Sequence, residues 1–279
     1  MFRCSVSLTE SILPLRLKLN IMNLNYVVEG KGEPLIFLHW LSDDLKFWEV
    51  LTSTLNEKYQ VIRIDLRGHG ESELGDDEIS IATYADDLKN LLDDLQIDAG
   101  NLVGFSLGGG VVALDFAIRY PDYVSSIVLM STFAKCDENI ILTLNEFKSE
   151  LDKGYDEFYD YMIPKVLCPD VIDKNREELE MLKQISSQNA NVDAYKKAVD
   201  ACLNFNVENE LGQIEVPALV FAGKYDEIFS VSVQENIHRH INKSKFIVLD
   251  DVRHNLLVGI NNAKISAMMD DFYKNEINI

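Results

Sequence analysis

The sequence predicts an α/β fold, a mostly parallel, doubly wound sheet with a helical cap inserted late in the chain. Short, nearly continuous apolar runs recur along it, as expected of parallel strands that are covered on both faces. Helical segments separate these runs, and a repeating β-α order of this kind builds a doubly wound sheet. The strand rhythm stops between residues 133 and 210. We therefore expect a core of residues 15–132 and 211–279, a cap of residues 133–210, and an N-terminal extension of residues 1–14.

The strands and helices of the core follow from local patterns. Residues 15–21 alternate apolar and polar side chains, and residues 24–28 follow as the second strand of an antiparallel pair. The parallel strands are predicted from apolar runs at residues 35–38, 61–64, 99–104, 127–130, 218–221 and 245–249. Helices are predicted between them at residues 47–55, 81–95 and 108–119.

The cap is predicted from helical periodicity alone. Apolar side chains recur there at steps of three and four residues, in two sets separated by Pro164 and Pro169. The first set is Leu144, Phe147, Leu151, Tyr155, Phe158 and Met162, and the second is Leu179, Leu182, Ile185, Tyr195, Val199 and Leu203. An insertion at this point of the chain lies over the C-terminal edge of the sheet, where open α/β folds bind ligands.

The charge and the cysteines narrow the choice of partners. Lys and Arg total 26 against 46 Asp and Glu, a net charge of −20 that repels nucleic acid and anionic lipid. Cys4, Cys136, Cys168 and Cys202 lie far apart without metal-ligand spacing, so we expect free thiols and no metal. No apolar run approaches the ~18 residues of a membrane span, and no convincing secretion signal is found. We expect a cytoplasmic protein with a small-molecule partner; homo-oligomer formation is left open.

A serine motif marks the candidate nucleophile. Gly104-Phe105-Ser106-Leu107-Gly108 lies between an apolar run and a helical stretch. A nucleophile elbow needs this order, because a sharp strand-to-helix turn exposes the serine hydroxyl and its crowded flanks leave no room for Cβ atoms. Ser106 is therefore the candidate nucleophile.

The two partners that a serine nucleophile needs are found after the last two predicted strands. A general base must take the serine proton, and a carboxylate must hold that base in the right tautomer. Asp226 and His254 each follow an apolar strand, which predicts that both lie at the C-terminal edge of the sheet. Asp250 and Asp251 are less well placed alternatives for the acid, and a structural role for His254 is the alternative to catalysis.

Several motifs together resemble the α/β-hydrolase family. Residues 65–72, Asp-Leu-Arg-Gly-His-Gly-Glu-Ser, resemble the family's D-x-R-G-x-G-x-S loop, and His39-Trp40 occupies the place of its His-Gly pair. The order of Ser106, Asp226 and His254 is also that of the family. The resemblance runs from about residue 15 to the C-terminus and is to capped serine hydrolases of the carboxylesterase, arylesterase and enol-lactonase kind. His39 and His69 are expected to shape loops rather than to move protons.

The resemblance implies further site residues. In the family, an oxyanion hole is formed by two backbone N–H groups, here those of Leu41 and Leu107, which stabilise developing negative charge. Trp40 stands where the family has glycine, so its indole is expected to lie near the catalytic centre. Trp40 and Phe105 are the predicted residues of the substrate pocket.

The function implied is that of a serine hydrolase that cleaves small to medium carboxylic esters through an acyl-enzyme. No metal and no organic cofactor is implied. A lactonase, thioesterase, amidase or perhydrolase would use the same triad, because fold and triad do not set the substrate. A non-catalytic small-molecule receptor of the same fold is the alternative from another class.

Overall fold

The computed structural model describes residues 22–277 and contains one seven-stranded sheet in this part of the chain. The strands are β1 (Tyr26–Gly30), β2 (Pro34–Leu38), β3 (Gln60–Ile64), β4 (Gly100–Phe105), β5 (Val124–Met130), β6 (Ala218–Gly223) and β7 (Ser244–Leu249). Their order in the sheet is β1-β3-β2-β4-β5-β6-β7. Strand β1 is antiparallel to β3, and every other neighbouring pair is parallel. The predicted doubly wound parallel sheet is confirmed.

The predicted antiparallel pair is only partly covered by the structure. Its first strand, residues 15–21, lies outside the described residues. Its second strand corresponds to β1, whose antiparallel partner in the structure is β3, with Tyr26 opposite Ile64 and Gly30 opposite Gln60.

Within residues 22–277, five α-helices pack on the sheet, and five more lie between β5 and β6. The first group is α1 (Glu49–Thr52), α2 (Ile81–Asp94), α3 (Val111–Arg119), α9 (Val231–His240) and α10 (Asn261–Phe272). The second group is α4 (Glu138–Lys153), α5 (Tyr155–Val166), α6 (Pro169–Lys174), α7 (Arg176–Asn189) and α8 (Val192–Leu203). The side chains of Ser80, Asp137 and Asn191 accept hydrogen bonds from first-turn N–H groups of α2, α4 and α8, which fixes where these helices begin. None of the helices within residues 22–277 has both the length and the apolar character to cross a membrane.

The sheet is buried on both faces, which explains its continuous apolar strands. In β2, Ile36 and Leu38 point into the apolar layer that includes α2 and α3, whereas Leu35 and Phe37 point into the layer that includes α1 and α10. All six residues of β4 are buried. The strand that leads to Ser106 is therefore enclosed along its whole length, as is β6.

Candidate active site

The turn after β4 holds Ser106 in a strained backbone conformation. Its φ is +58°, in the left-handed region that side-chain-bearing residues rarely adopt and that costs about 1–3 kcal/mol. The turn runs so close to the neighbouring strand that a Cβ on Gly109 would lie 1.9 Å from the carbonyl oxygen of Leu38. A Cβ on Gly104 would lie 2.3 Å from the carbonyl oxygen of Gly109. The glycines are therefore required for the turn that presents the serine hydroxyl.

The structure brings Ser106, His254 and Asp226 together in one chain of contacts. Ser106 Oγ lies 2.8 Å from His254 Nε2, and His254 Nδ1 lies 2.9 Å from Asp226 Oδ2. The other carboxylate oxygen of Asp226 accepts hydrogen bonds from the backbone N–H groups of Ile228 and Phe229, at 2.9 and 3.0 Å. Because a carboxylate only accepts, Nδ1 carries the proton and Nε2 is left to accept from the serine hydroxyl.

The alternative acids are not placed for this role. Asp250 is exposed, and its carboxylate pairs with Lys224 Nζ at 2.8 Å. Asp251 is exposed as well. Asp226, by contrast, is buried against the imidazole of His254.

Aromatic rings surround the imidazole of His254. The ring centroids of Trp40, Phe105 and Phe229 lie 6.2, 5.5 and 5.4 Å from its own. These rings fix the orientation of the imidazole and exclude water from it, which strengthens its interactions with charge. The indole of Trp40 thus lies near the catalytic centre, as the sequence predicts.

Two polar residues support the triad and were missed by the sequence argument. Ser131 Oγ donates to the backbone oxygen of His254 at 2.8 Å, and Thr132 Oγ1 donates to the backbone oxygen of Ser106 at 2.9 Å. Both residues follow β5 directly, between the strands that lead to Ser106 and Asp226 in the sheet. A polar pair at the carboxyl end of a central parallel strand is the signal that indicates such a role.

The loop of Leu41 is fixed by two buried histidines. His39 Nε2 accepts from the N–H of Leu66 at 3.0 Å, so Nδ1 carries the proton and donates to the carbonyl oxygen of Trp40 at 2.7 Å. Since C=O and N–H point in opposite directions across a trans peptide, this bond sets the direction of the Leu41 N–H. His69 Nε2 lies 2.6 Å from the carbonyl oxygen of Leu41. Burial lowers the pKa of both imidazoles, that of His69 to about 4, in line with structural roles.

The second predicted oxyanion donor, the N–H of Leu107, belongs to the turn of Ser106. The turn is tied to the Leu41 loop because Gly109 donates to the carbonyl oxygen of His39 at 2.7 Å. The thiol of Cys202, on α8, donates to the carbonyl oxygen of Leu107 at 3.3 Å. Neither the N–H of Leu41 nor that of Leu107 donates to a backbone carbonyl in the loops and turns of residues 22–277.

A cavity of about 180 Å³ opens between the core and the inserted helices, and none of Ser106, Asp226 and His254 lines it. Trp40, Ser42 and Asp43 line it from the core, and Asn255, the neighbour of His254, lies at its edge. The opposite wall consists of Tyr155, Phe158, Tyr159, Met162, Ile163, Val166 and Leu167, with Leu179, Leu182 and Ser186. Phe105 is buried beneath the Trp40 and His254 rings and does not line this cavity, so its contact with substrate stays a prediction.

The described residues offer no grouping typical of a metal site. Cys136, Cys168 and Cys202 are free thiols. Within residues 22–277, no three His, Cys, Asp or Glu side chains are placed together to hold a metal ion.

Fold and site together define the class of the protein, a hydrolase built on a doubly wound α/β sheet. The chain belongs to the alpha/beta hydrolase fold family, whose profile matches residues 33–259. One relative is 3-oxoadipate enol-lactonase 2 of Acinetobacter baylyi, 28% identical over 231 residues that cover 81% of this chain and 85% of that protein.

Two solved structures show the same fold. The enol-lactonase from Burkholderia xenovorans has a TM-score of 0.82 at 22% identity, and the match covers 91% of this chain and 97% of that one. A thermophilic esterase from Thermogutta terrifontis has a TM-score of 0.79 at 24% identity, with 90% and 93% covered. At these identities the likeness concerns the fold alone.

Proposed function

We propose that the protein is a serine hydrolase that cleaves small to medium carboxylic esters through an acyl-enzyme. One observation carries the proposal, the continuous set of contacts from Ser106 Oγ through His254 to Asp226, with heavy-atom distances of 2.8 and 2.9 Å. Distances in this range permit proton transfer between a nucleophile and its general base.

The residues have distinct roles in the proposed reaction. Ser106 Oγ attacks the ester carbonyl carbon while His254 Nε2 takes its proton, and Asp226 stabilises the resulting imidazolium. The N–H groups of Leu41 and Leu107 donate to the oxyanion of the tetrahedral intermediate. The C–O bond to the alcohol then breaks, and His254 returns the proton to the leaving oxygen. Water, activated by the same imidazole, releases the acid and restores Ser106.

The cavity supports a substrate of modest size with an apolar part. Most of its wall is apolar or aromatic, and its volume of about 180 Å³ is that of a short acyl or alcohol group. An enol-lactone is a second candidate substrate class, because the relative from Acinetobacter baylyi is an enol-lactonase. A lactone is a cyclic ester, so the same residues act in the same order.

Steady-state hydrolysis of p-nitrophenyl esters from acetate to decanoate, together with a panel of lactones, tests the proposal. We expect turnover with a clear length optimum, and a loss of at least about 10³-fold in kcat for Ser106→Ala with unchanged circular dichroism. Ser53→Ala, an exposed serine far from the triad, is the control and should retain full activity. Full activity in Ser106→Ala would exclude the assigned nucleophile, and a folded wild type without turnover would favour the receptor alternative.

A further inference from the structure

The cavity between the core and the inserted helices contains a carboxylate that the proposed mechanism does not use. Asp43 lines the cavity and is partly buried. Its Oδ2 accepts from Trp40 Nε1 at 2.7 Å, and its Oδ1 accepts from the N–H of Asp44 at 2.9 Å. In the part of the chain that the structure describes, no Lys, Arg or His nitrogen lies within 4.0 Å of it. Both hydrogen-bond donors are neutral, so the charge has no counter-ion there.

Aromatic rings form much of the wall around this carboxylate. Trp40, Tyr155, Phe158 and Tyr159 all line the cavity, and no lining residue is a lysine, arginine or histidine. The faces of aromatic rings attract cations, most strongly where water is excluded. A carboxylate within an aromatic wall favours a cation over an anion of the same size.

The pKa values of Asp43 and of the neighbouring tyrosines also indicate a negatively charged cavity. Burial raises the pKa of Asp43 to about 6, with smaller contributions from Asp44 and Asp65, so the carboxyl is ionised at and above pH 7. Burial also raises the pKa values of Tyr155, Tyr159 and Tyr195, the phenols near Asp43, so they stay neutral there. The cavity therefore carries a net negative charge at neutral pH.

We propose that the cavity binds an ammonium group of the ester substrate, with Asp43 as the specificity-determining residue and the aromatic rings as its cage. The inference rests on the proposed ester hydrolysis for its substrate class. Trp40 connects the two sites, because its indole donates to Asp43 and its ring centroid lies 6.2 Å from that of His254. Trp40 thus contacts both the carboxylate of Asp43 and the imidazole of His254, and the methylene series of the test below measures the chain length that joins the two sites.

Matched pairs of esters test this inference. The probes are p-nitrophenyl esters of ω-trimethylammonio acids with two to six methylenes, each compared with the neutral ester that ends in a tert-butyl group. Butyrylcholine and 3,3-dimethylbutyl butyrate make the same comparison on the alcohol side. We expect the wild type to favour the cationic member of at least one pair about tenfold in kcat/KM. Asp43→Asn should lower that ratio about tenfold.

Asp44→Asn is the matched control, because it removes the same charge from the adjacent residue, which does not line the cavity. Its ratio should stay within about twofold of the wild type, because the Asp44 carboxylate accepts from the N–H of Lys46 outside the cavity. Wild-type ratios near one, a preference for esters that end in a carboxylate, or an unchanged ratio in Asp43→Asn would overturn the inference. If Asp43 only holds Trp40 in place, its loss changes both members of a pair equally and the ratio does not move.

The same ratio has a predicted pH dependence. Asp43 becomes neutral as the pH falls through about 6, so the preference for the cationic ester should decline there. Any loss of activity at low pH that is common to both members of a pair cancels in the ratio. A ratio that is flat between pH 5 and 8 would contradict the role of the Asp43 charge.

Calorimetry separates this inference from the proposed function. Ser106→Ala, which lacks the nucleophile, is titrated with phenyltrimethylammonium, and Ser106→Ala/Asp43→Asn is titrated in parallel. Binding that depends on Asp43, together with a wild type that hydrolyses no ester, would support the cation site and refute the ester hydrolase. Hydrolysis of neutral esters without Asp43-dependent cation binding would support the hydrolase and refute the cation site.

Discussion

Ser106 has a strained backbone conformation, and this conformation directs its hydroxyl toward His254. Its φ of +58° lifts the hydroxyl out of the line of β4 and places it 2.8 Å from His254 Nε2. Thr132 Oγ1 holds the carbonyl of the same residue, at 2.9 Å. The buried strand and the glycines around the turn maintain a conformation that an isolated peptide does not keep.

The role of Asp226 is testable by a change that keeps its shape. In Asp226→Asn, the amide no longer selects the His254 tautomer in which Nε2 is free to accept, so kcat should fall about 10³–10⁴-fold. Steady-state kinetics of the best p-nitrophenyl ester measures the loss. Asp250→Asn, at the exposed ion pair with Lys224, is the control and should lose less than about twofold. A loss below tenfold in Asp226→Asn would reassign the acid.

Trp40 is expected to set the length of the acyl or alcohol chain that fits. Trp40→Gly removes an indole from the cavity wall, so the length optimum should move to longer esters. Because the side chain is only partly buried, the loss of unfolding free energy should be below the about 3–5 kcal/mol typical of a core aromatic. Phe47→Ala, which contacts the Trp40 ring but does not line the cavity, is the control. An unmoved optimum in Trp40→Gly would show that this cavity does not receive the chain.

Sequence reasoning selected Ser106, Asp226 and His254 as candidates because each follows an apolar strand in an informative order, and the structure brings these three side chains together. It did not identify Asp43, Ser131 or Thr132 as site residues. Their partners, Trp40 Nε1 and the carbonyls of His254 and Ser106, become neighbours only after the strands align. Single polar residues after a strand are too common in sequences to indicate a role by themselves.

At the scale of the elements, the turn between β4 and α3 leaves no room for an added Cβ at Gly109. In Gly109→Ala the new Cβ would lie 1.9 Å from the carbonyl oxygen of Leu38, a contact that the backbone must move to relieve. We expect a loss of at least about 3 kcal/mol in unfolding free energy, at the upper end of overpacking effects. Urea denaturation of Gly109→Ala and Gly212→Ala compares this site with an open one, where the nearest atom is 3.9 Å away. Equal stability of the two variants would contradict the account of the turn.

The parallel strands were predicted well because burial on both faces leaves an uninterrupted apolar run.

The first helix was predicted less well. In place of a helix over residues 47–55, the structure has a 3₁₀ turn at Leu45–Trp48 followed by the short α1. The Asp44 side chain caps this turn by accepting from the N–H of Lys46, and the Trp48 ring is buried beside Phe37. The start and end of this first helical segment therefore depend on tertiary packing, which the local periodicity of the sequence does not predict.

Two prolines among the helices between β5 and β6 show a similar limit. Pro169 begins α6, where its missing N–H costs nothing, as expected for a separator. Pro164 lies within the last turn of α5, so the helix continues to Val166 instead of ending before it. The proline removes only one hydrogen bond there, and the apolar side chains of Met162 and Val166 remain buried.

On the scale of the whole molecule, the net charge of −20 opposes folding through self-repulsion. Most ion pairs in the described residues are exposed and contribute little to the free energy of unfolding. Arg67 and Asp87, by contrast, form a buried bidentate pair with two contacts of 2.6 Å, which joins the loop after β3 to α2. Addition of 0.2 M NaCl should therefore raise the Tm by about 2–4 °C, because screening weakens the repulsion more than it weakens the buried pair. Differential scanning calorimetry with and without salt checks this, and a lower Tm in salt would show that attractive surface pairs dominate.

The central claim is that Ser106, activated by His254, is the nucleophile of a serine hydrolase. The most direct measurement is peptide mass spectrometry after reaction with diethyl 4-nitrophenyl phosphate, which transfers a diethylphosphoryl group to an activated serine and releases 4-nitrophenolate. The account predicts one adduct, on Ser106, that is absent from Ser106→Ala and forms far more slowly in His254→Ala. An adduct on another residue, or a folded wild type that remains unmodified, would contradict it.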